Sequence, residues 1–383
     1  MSSVPPADQT VRERIAQVMR DFAPEWPEEK VPRPFGGSRS LTFVELPMPR
    51  LVQWVLAECL GSKDGGRCEK TAWVYWFTFQ GRPFNLALTK FGLRLAGSAD
   101  SEAEFIDLGD QVVKRLDAAA RLAERLVFQS FAETQIAAGS VTILNDSRRL
   151  REMYEYFRET AERGLSDEEV RDLEQGDGFV RLFVRDEHRF RYSVALVGAY
   201  FSWLEHVLVL YWPFCGYGPG TDDLQRFIGD HWSDKFKRLF DVAHDPEAKR
   251  HYDALREVAE EYRNTFAHGG FGRNRRGILV HVPGGAPIEA GLSEIRNRPH
   301  FEFAPVPEET LSEIARVLDA ADEWMRSGPA SFGVKWVEAG FDVPFDSKSV
   351  SENVTAMDNG ADAFREIMER WSYFANQAAN MDW

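Results

Sequence analysis

Apolar residues are most regular between Phe190 and Tyr211, where Phe190, Val194, Val197, Phe201, Leu204, Leu208 and Tyr211 recur at alternating steps of four and three. Such spacing lines one face of an α-helix, and further apolar residues on the other faces predict that this helix is central. A second stripe of the same period runs through Ala248, Tyr252, Leu255, Ala259, Tyr262 and Phe266. Its ends carry boundary chemistry. Asp245 suits the N-cap, Pro246 the first turn, and Gly269 the left-handed position after His268. Between the two stripes "PFCGYGPGTDD" breaks the chain, and "DLQRFIGDHWSDKFKRLFDVA" predicts a helix in two pieces.

Nearer the N-terminus the pattern is mixed. "PRLVQWVLAECLG" predicts a short helix ending at Gly61. Residues 71 to 97 are rich in aromatic and β-branched side chains on both sides of Gly81-Arg82-Pro83, which predicts a hairpin buried on both faces. Phe105, Leu108, Val112, Leu116 and Leu122 mark a helix from Ser101 to about Ala138, and another is expected from Asp146 to Arg163. "SDEE" at 166 to 169 is a capping box. Downstream, "GILVHV" and "HFEFAP" predict a small β-hairpin with a long loop, followed by a helix from about Pro307 to Arg326. Residues 332 to 383 read as a loop or strand segment and one more helix, "DAFREIMERWSYFANQ". The expected fold is mainly α: an N-terminal α/β unit with an aromatic hairpin over residues 1–145, a helical domain over 146–330 and a C-terminal helical extension over 331–383.

Composition supports this division. A chain of 383 residues is long enough for more than one packed unit, and 44% hydrophobic with 13% aromatic content suits ordinary globular cores. The start, "MSSVPPADQTVRERIAQ", lacks the apolar core of a secretory signal, so a cytoplasmic location is expected. Cys59, Cys68 and Cys215 are an odd count without zinc-finger spacing, which argues against a disulfide framework and against structural zinc. Residues 194 to 212 are nearly long enough to span a bilayer, but Glu205 and His206 sit at their middle. Charge there is costly in hydrocarbon, so a buried helix and no membrane partner are expected.

Charge changes the picture at one place. The chain carries a formal net charge of −15, yet between positions 263 and 298 six arginines (263, 273, 275, 276, 296 and 298) face only two acids, Glu289 and Glu294. That local excess marks a candidate anion site. At about 100° per residue, Asn264 and His268 fall opposite their helix's buried stripe, with Arg263 at its flank. A solvated helix end, with a histidine complementing the negative pole of the macrodipole, is the competing account of the same residues.

The hexapeptide "RNTFAH" resembles the Arg-x(4 to 6)-His motif of the HEPN superfamily, with Arg263, Asn264 and His268 on the matching positions. The surroundings resemble that family too, since the apolar helix bearing "FSWLEHVLVL" and the helices after it are similar to its helical bundle, over about 180–326. The resemblance implies a metal-independent endoribonuclease without a cofactor, acting as a homodimer whose two motif copies line one cleft. It implies attack of an RNA 2′-hydroxyl on the adjacent phosphate, leaving a 2′,3′-cyclic phosphate and a 5′-hydroxyl. His268 would transfer protons, Arg263 would stabilise phosphorane charge, and Asn264 would orient the imidazole or the phosphate. Arg263 and His268 differ by about 140° on a continuous α-helix, so one phosphate meets both only if the helix distorts or a second subunit contributes.

Arg273, Arg275 and Arg276 are candidates for flanking phosphates, against an ordinary basic turn. Glu205 could neutralise or orient Arg263 if their helices pack together; a satisfied buried pair is the alternative. Some HEPN toxins extend the motif to His-x-Tyr, which a partner nucleotidyltransferase modifies, but Gly270 stands at that place here. The functional expectation is a toxin or phage-defence effector acting on RNA, with a protein antitoxin or trigger as a further partner. The alternative is a catalytically silent HEPN-like module that binds a nucleotide or a protein.

Overall fold

The computed structural model describes residues 8–24, 35–166, 168–169, 178–264, 278–285, 287–293, 298–300 and 308–381. The chain is mainly α-helical, with a five-stranded antiparallel sheet near its N-terminus. It divides into two compact units, residues 1–136 with 368–383 and residues 137–367. The segment 331–383, expected as one extension, is shared between them.

In the first unit, α1 (Gln9–Val18) leads into β1 (Phe22–Ala23) and β2 (Phe35–Leu41), and α2 (Pro49–Trp54) continues through a π-turn to Cys59. Strands β3 (Thr71–Phe79), β4 (Arg82–Thr89) and β5 (Gly92–Ala99) form a meander, and the sheet order is β1-β3-β4-β5-β2. Helix α3 (Glu102–Ala123) begins at Ser101, whose hydroxyl accepts from the Glu104 N–H, and buries Phe105, Leu108, Val112 and Leu116. It continues through a π-turn, Glu124–Phe128, into α4 (Gln129–Ala137).

The expectation of a hairpin buried on both faces is corrected here. Residues 71–97 span three strands, and within β3 Trp73, Tyr75, Phe77 and Phe79 are buried while Trp76 is 37% exposed. An aromatic on the open face hid the period-2 alternation, because Trp76 looks like core in sequence. Close packing also fixes Gly97, where a Cβ would lie 2.5 Å from the Phe84 ring.

In the second unit, β6 (Thr142–Ile143) precedes α5 (Ser147–Arg163), which packs along α6 (Gly178–Tyr211). The capping box is present, with Ser166 N–H donating to Glu169 at 2.8 Å and Glu169 N–H to the Ser166 hydroxyl at 3.2 Å. The expected two-piece helix is α7 (Leu224–Gly229) and α8 (Trp232–Leu239), and α9 (Pro246–Val258) follows with Asp245 accepting from Glu247 N–H. Strands β7 (Ile278–Val280), β8 (Ile288–Ser293) and β9 (Arg298–His300) make a three-stranded meander, where the sequence suggested two strands and a loop. Helix α10 (Glu308–Ser327) matches its expectation closely.

The single C-terminal helix is also corrected. Helices α11 (Ser331–Glu338) and α12 (Ser347–Asp358), separated by β10 (Val343–Pro344), precede α13 (Ala361–Asn380). Asp346 caps α12 by accepting from Ser349 N–H, a boundary signal legible in the sequence but passed over beside the longer apolar runs.

From α6 into the 3-10 turn after it, residues His188–Phe214 are long and apolar enough to cross a membrane, with mean hydropathy 1.5, and 67% of the apolar window is buried inside the structure. Its polar members therefore need partners. Tyr200 donates to Asp322 at 2.7 Å, and Arg151 donates to the same carboxylate at 2.5 Å while its guanidinium lies 4.8 Å from the Tyr154 and Trp203 rings. One turn away Arg158 grips Asp319 through two bonds of 2.6 and 2.9 Å. Removing one member strands the rest, so Asp322→Ala is expected to lower unfolding free energy by about 3 kcal/mol in urea titrations, with Tyr200→Phe costing less.

Candidate functional site

Arg263 and Asn264, the first two residues of the expected motif, follow α9, and the backbone there departs from an ordinary helix. From Ala259 to Asn264 the backbone winds as a π-turn, with i→i+5 hydrogen bonds replacing the α pattern. This wider turn takes more residues per revolution, so groups five apart sit closer in angle than on an α-helix. The π-turn is described through Asn264, and the rest of the interval to His268 lies outside the described residues. The Asn264 side chain, His268, Arg273, Arg275 and Arg276 lie outside the described residues.

Arg263 is positioned from two sides. Its Nη1 donates to Glu205 Oε1 at 3.1 Å, and its guanidinium lies 5.5 Å from the Phe201 ring. Phe201 and Glu205 are one turn apart on α6, so a single helical face supplies the aromatic contact and the carboxylate. Both members of the ion pair keep 29% side-chain exposure, which places the guanidinium at the edge of the core. Among the described residues Glu205 is the hydrogen-bond partner of this guanidinium.

Glu205 and His206, adjacent in the apolar helix, serve different partners. Glu205 turns to Arg263, while His206 Nε2 accepts from the Asp146 N–H at 3.0 Å, satisfying a donor at the start of α5. Burial lowers the His206 pKa, which suits a ring that must keep its acceptor lone pair. Sequence reasoning missed Lys235. Its residue is 4% exposed, and burial pushes its pKa down while Glu205 and Asp230 oppose that shift. Glu205 thus stands between two cations from different helices. A lysine on the apolar side of α8, beside Phe236, was the available signal. Among the described residues no cluster of His, Cys, Asp and Glu could hold a metal ion.

Two outcomes follow from this geometry. A double-mutant cycle of Glu205→Ala and Arg263→Ala should give a coupling of about 1 kcal/mol in unfolding free energy, reduced at high salt because the pair is partly exposed. For His206, the unfolded ring takes a proton near pH 6.5 and the folded ring only at lower pH, so stability must fall as pH drops below about 6.5. His206→Gln should remove one proton's share of that slope, at most about 1.4 kcal/mol per pH unit, in melts between pH 7.5 and 5.5. His188 and His251, also lowered by burial, keep their share.

Comparison with family models finds no match for this chain, and comparison with curated proteins and with solved structures finds none either.

Proposed function

We propose that this chain is a metal-independent endoribonuclease of the HEPN type, working on RNA through Arg263, Asn264 and His268. The observation that carries the reading is the Arg263–Glu205 pair at 3.1 Å on a π-wound turn, which holds a permanently charged guanidinium at the core's edge. Glu205 fixes one nitrogen, and the remaining two suit two oxygens of a phosphate. In this mechanism the RNA 2′-hydroxyl loses its proton to His268 as it attacks phosphorus. Arg263 stabilises the added charge of the phosphorane, and a proton returns to the departing 5′-oxygen. Asn264 orients the imidazole or the phosphate, and Arg273, Arg275 and Arg276 hold the flanking backbone.

The reading includes a homodimer, in which a second copy completes the cleft, and a cytoplasmic role as toxin or defence effector. The N-terminal unit then senses the trigger or selects the target, and a protein antitoxin is a candidate partner. With a net charge of −15, broad RNA affinity is disfavoured and a focused, shape-selected substrate is favoured. One observation favours a second reading: Glu205 already neutralises Arg263, which suits a catalytically silent HEPN-like module that binds a nucleotide or protein without turnover.

Incubation of purified protein with an RNA panel in excess EDTA separates the two. Cleavage leaving 2′,3′-cyclic phosphate ends is expected, lowered roughly 100-fold or more in Arg263→Ala and in His268→Ala while circular dichroism and oligomeric state stay as in the native chain. Cleavage that survives His268→Ala would overturn the ribonuclease reading, and intact RNA across the panel would favour the silent module or an enzyme awaiting its trigger.

A further inference from the structure

On the side of α6 turned away from Glu205, helices α5, α6, α10 and α11 border a cavity of about 560 Å3. Trp203 and Val207 line it, each about 160° around the helix from Glu205. The volume falls within the roughly 300–1,000 Å3 of small-molecule sites. Its floor is apolar, with Val207, Met325, Val334 and Val337 all buried, and its walls carry charge of both signs.

The hydrogen bonding of those walls is unevenly met. Every lining carboxylate has a partner: Asp322 accepts from Tyr200 and Arg151, Glu155 from Arg151 Nε at 3.1 Å, and Glu338 from Arg326 at 2.7 Å, while Glu152 lies 3.6 Å from Arg148. Asn145 and Ser147 are likewise engaged. Several donors are not. Among the described residues the Tyr211 hydroxyl, the Trp203 indole N–H, Arg151 Nη2 and the exposed Arg148 guanidinium make no hydrogen bond, and the first three belong to residues largely packed into the walls. An acceptor carried by a ligand would meet the Arg151, Trp203 and Tyr211 donors. Its donors are also spread out, because Trp203 and Tyr211 are eight residues apart, about 12 Å along α6.

We propose that the cavity binds a small organic acid of elongated shape. Its carboxylate meets Arg151 near Trp203, its apolar or aromatic body lies on Val207, Met325 and Val337, and an oxygen at its far end reaches Tyr211. The Arg151 guanidinium is well placed for this, since Asp322 and the rings of Tyr154 and Trp203 hold it rigid while leaving one nitrogen open. The site is separate from the motif and does not depend on its chemistry.

Calorimetric titration of the full chain tests this with para-hydroxyphenylpropionate, its methyl ester, phenylpropionate and the amine tyramine, using native protein and the Tyr211→Phe and Trp203→Phe variants. Tyr211→Phe removes only a hydroxyl that bonds to nothing among the described residues, Trp203→Phe removes the indole N–H together with part of the ring against Arg151, and unchanged melting without ligand verifies that the fold is kept. Both acids are expected to bind at one site, with ester and amine at least tenfold weaker. Tyr211→Phe should weaken the hydroxylated acid about three- to tenfold and leave phenylpropionate unaffected. Failure of both acids to bind, equal binding of tyramine, or indifference of the hydroxylated acid to Tyr211→Phe would overturn the proposal and leave a cavity occupied by water alone.

Discussion

Burial of α6 is the constraint on which the second unit rests. A helix of 34 residues whose later turns are apolar on nearly every side must be wrapped, and α5, α8 and α11 all pack against it. The gain is hydrophobic, but the same burial obliges each polar group on the helix to find a partner. Tyr200, Glu205 and His206 meet that obligation by recruiting Asp322, Arg263 and the first turn of α5. The polar contacts that tie the unit together are thus consequences of where an apolar helix carries its few polar residues.

Two faces of this one helix carry different chemistry. On one, Phe201 and Glu205 receive the arginine at the end of α9, where the backbone has unwound into a π-turn. On the other, Trp203, Val207 and Tyr211 line a cavity with unmet donors. A helix packed on this many sides is rigid, and rigidity is what a positioned guanidinium or a preorganised cavity needs.

The first unit follows a simpler rule. Its sheet buries one face against α3 and leaves the other partly open, with Trp76 on the open side. Reading aromatic density as two-sided burial failed there because a large side chain on a half-exposed face has the composition of core without its environment. Short helices α11 and α12 escaped notice for the opposite reason, since eight and twelve residues offer too few turns for a stripe to stand out.

The sequence by itself determined the long helices and their boundaries. Asp245 and Pro246 start α9, Ser101 starts α3, and the four-three spacing through Tyr211 marks α6, because caps and periodicity are local properties of the chain. It also set Asn264 and His268 opposite the stripe of their own helix, with Arg263 at its flank. Only the tertiary structure decided that Glu205 meets Arg263, that His206 serves α5 instead, and that buried Lys235 lies near both. Those pairings join residues up to 60 positions apart, and no local pattern encodes which faces of two helices will meet when they pack.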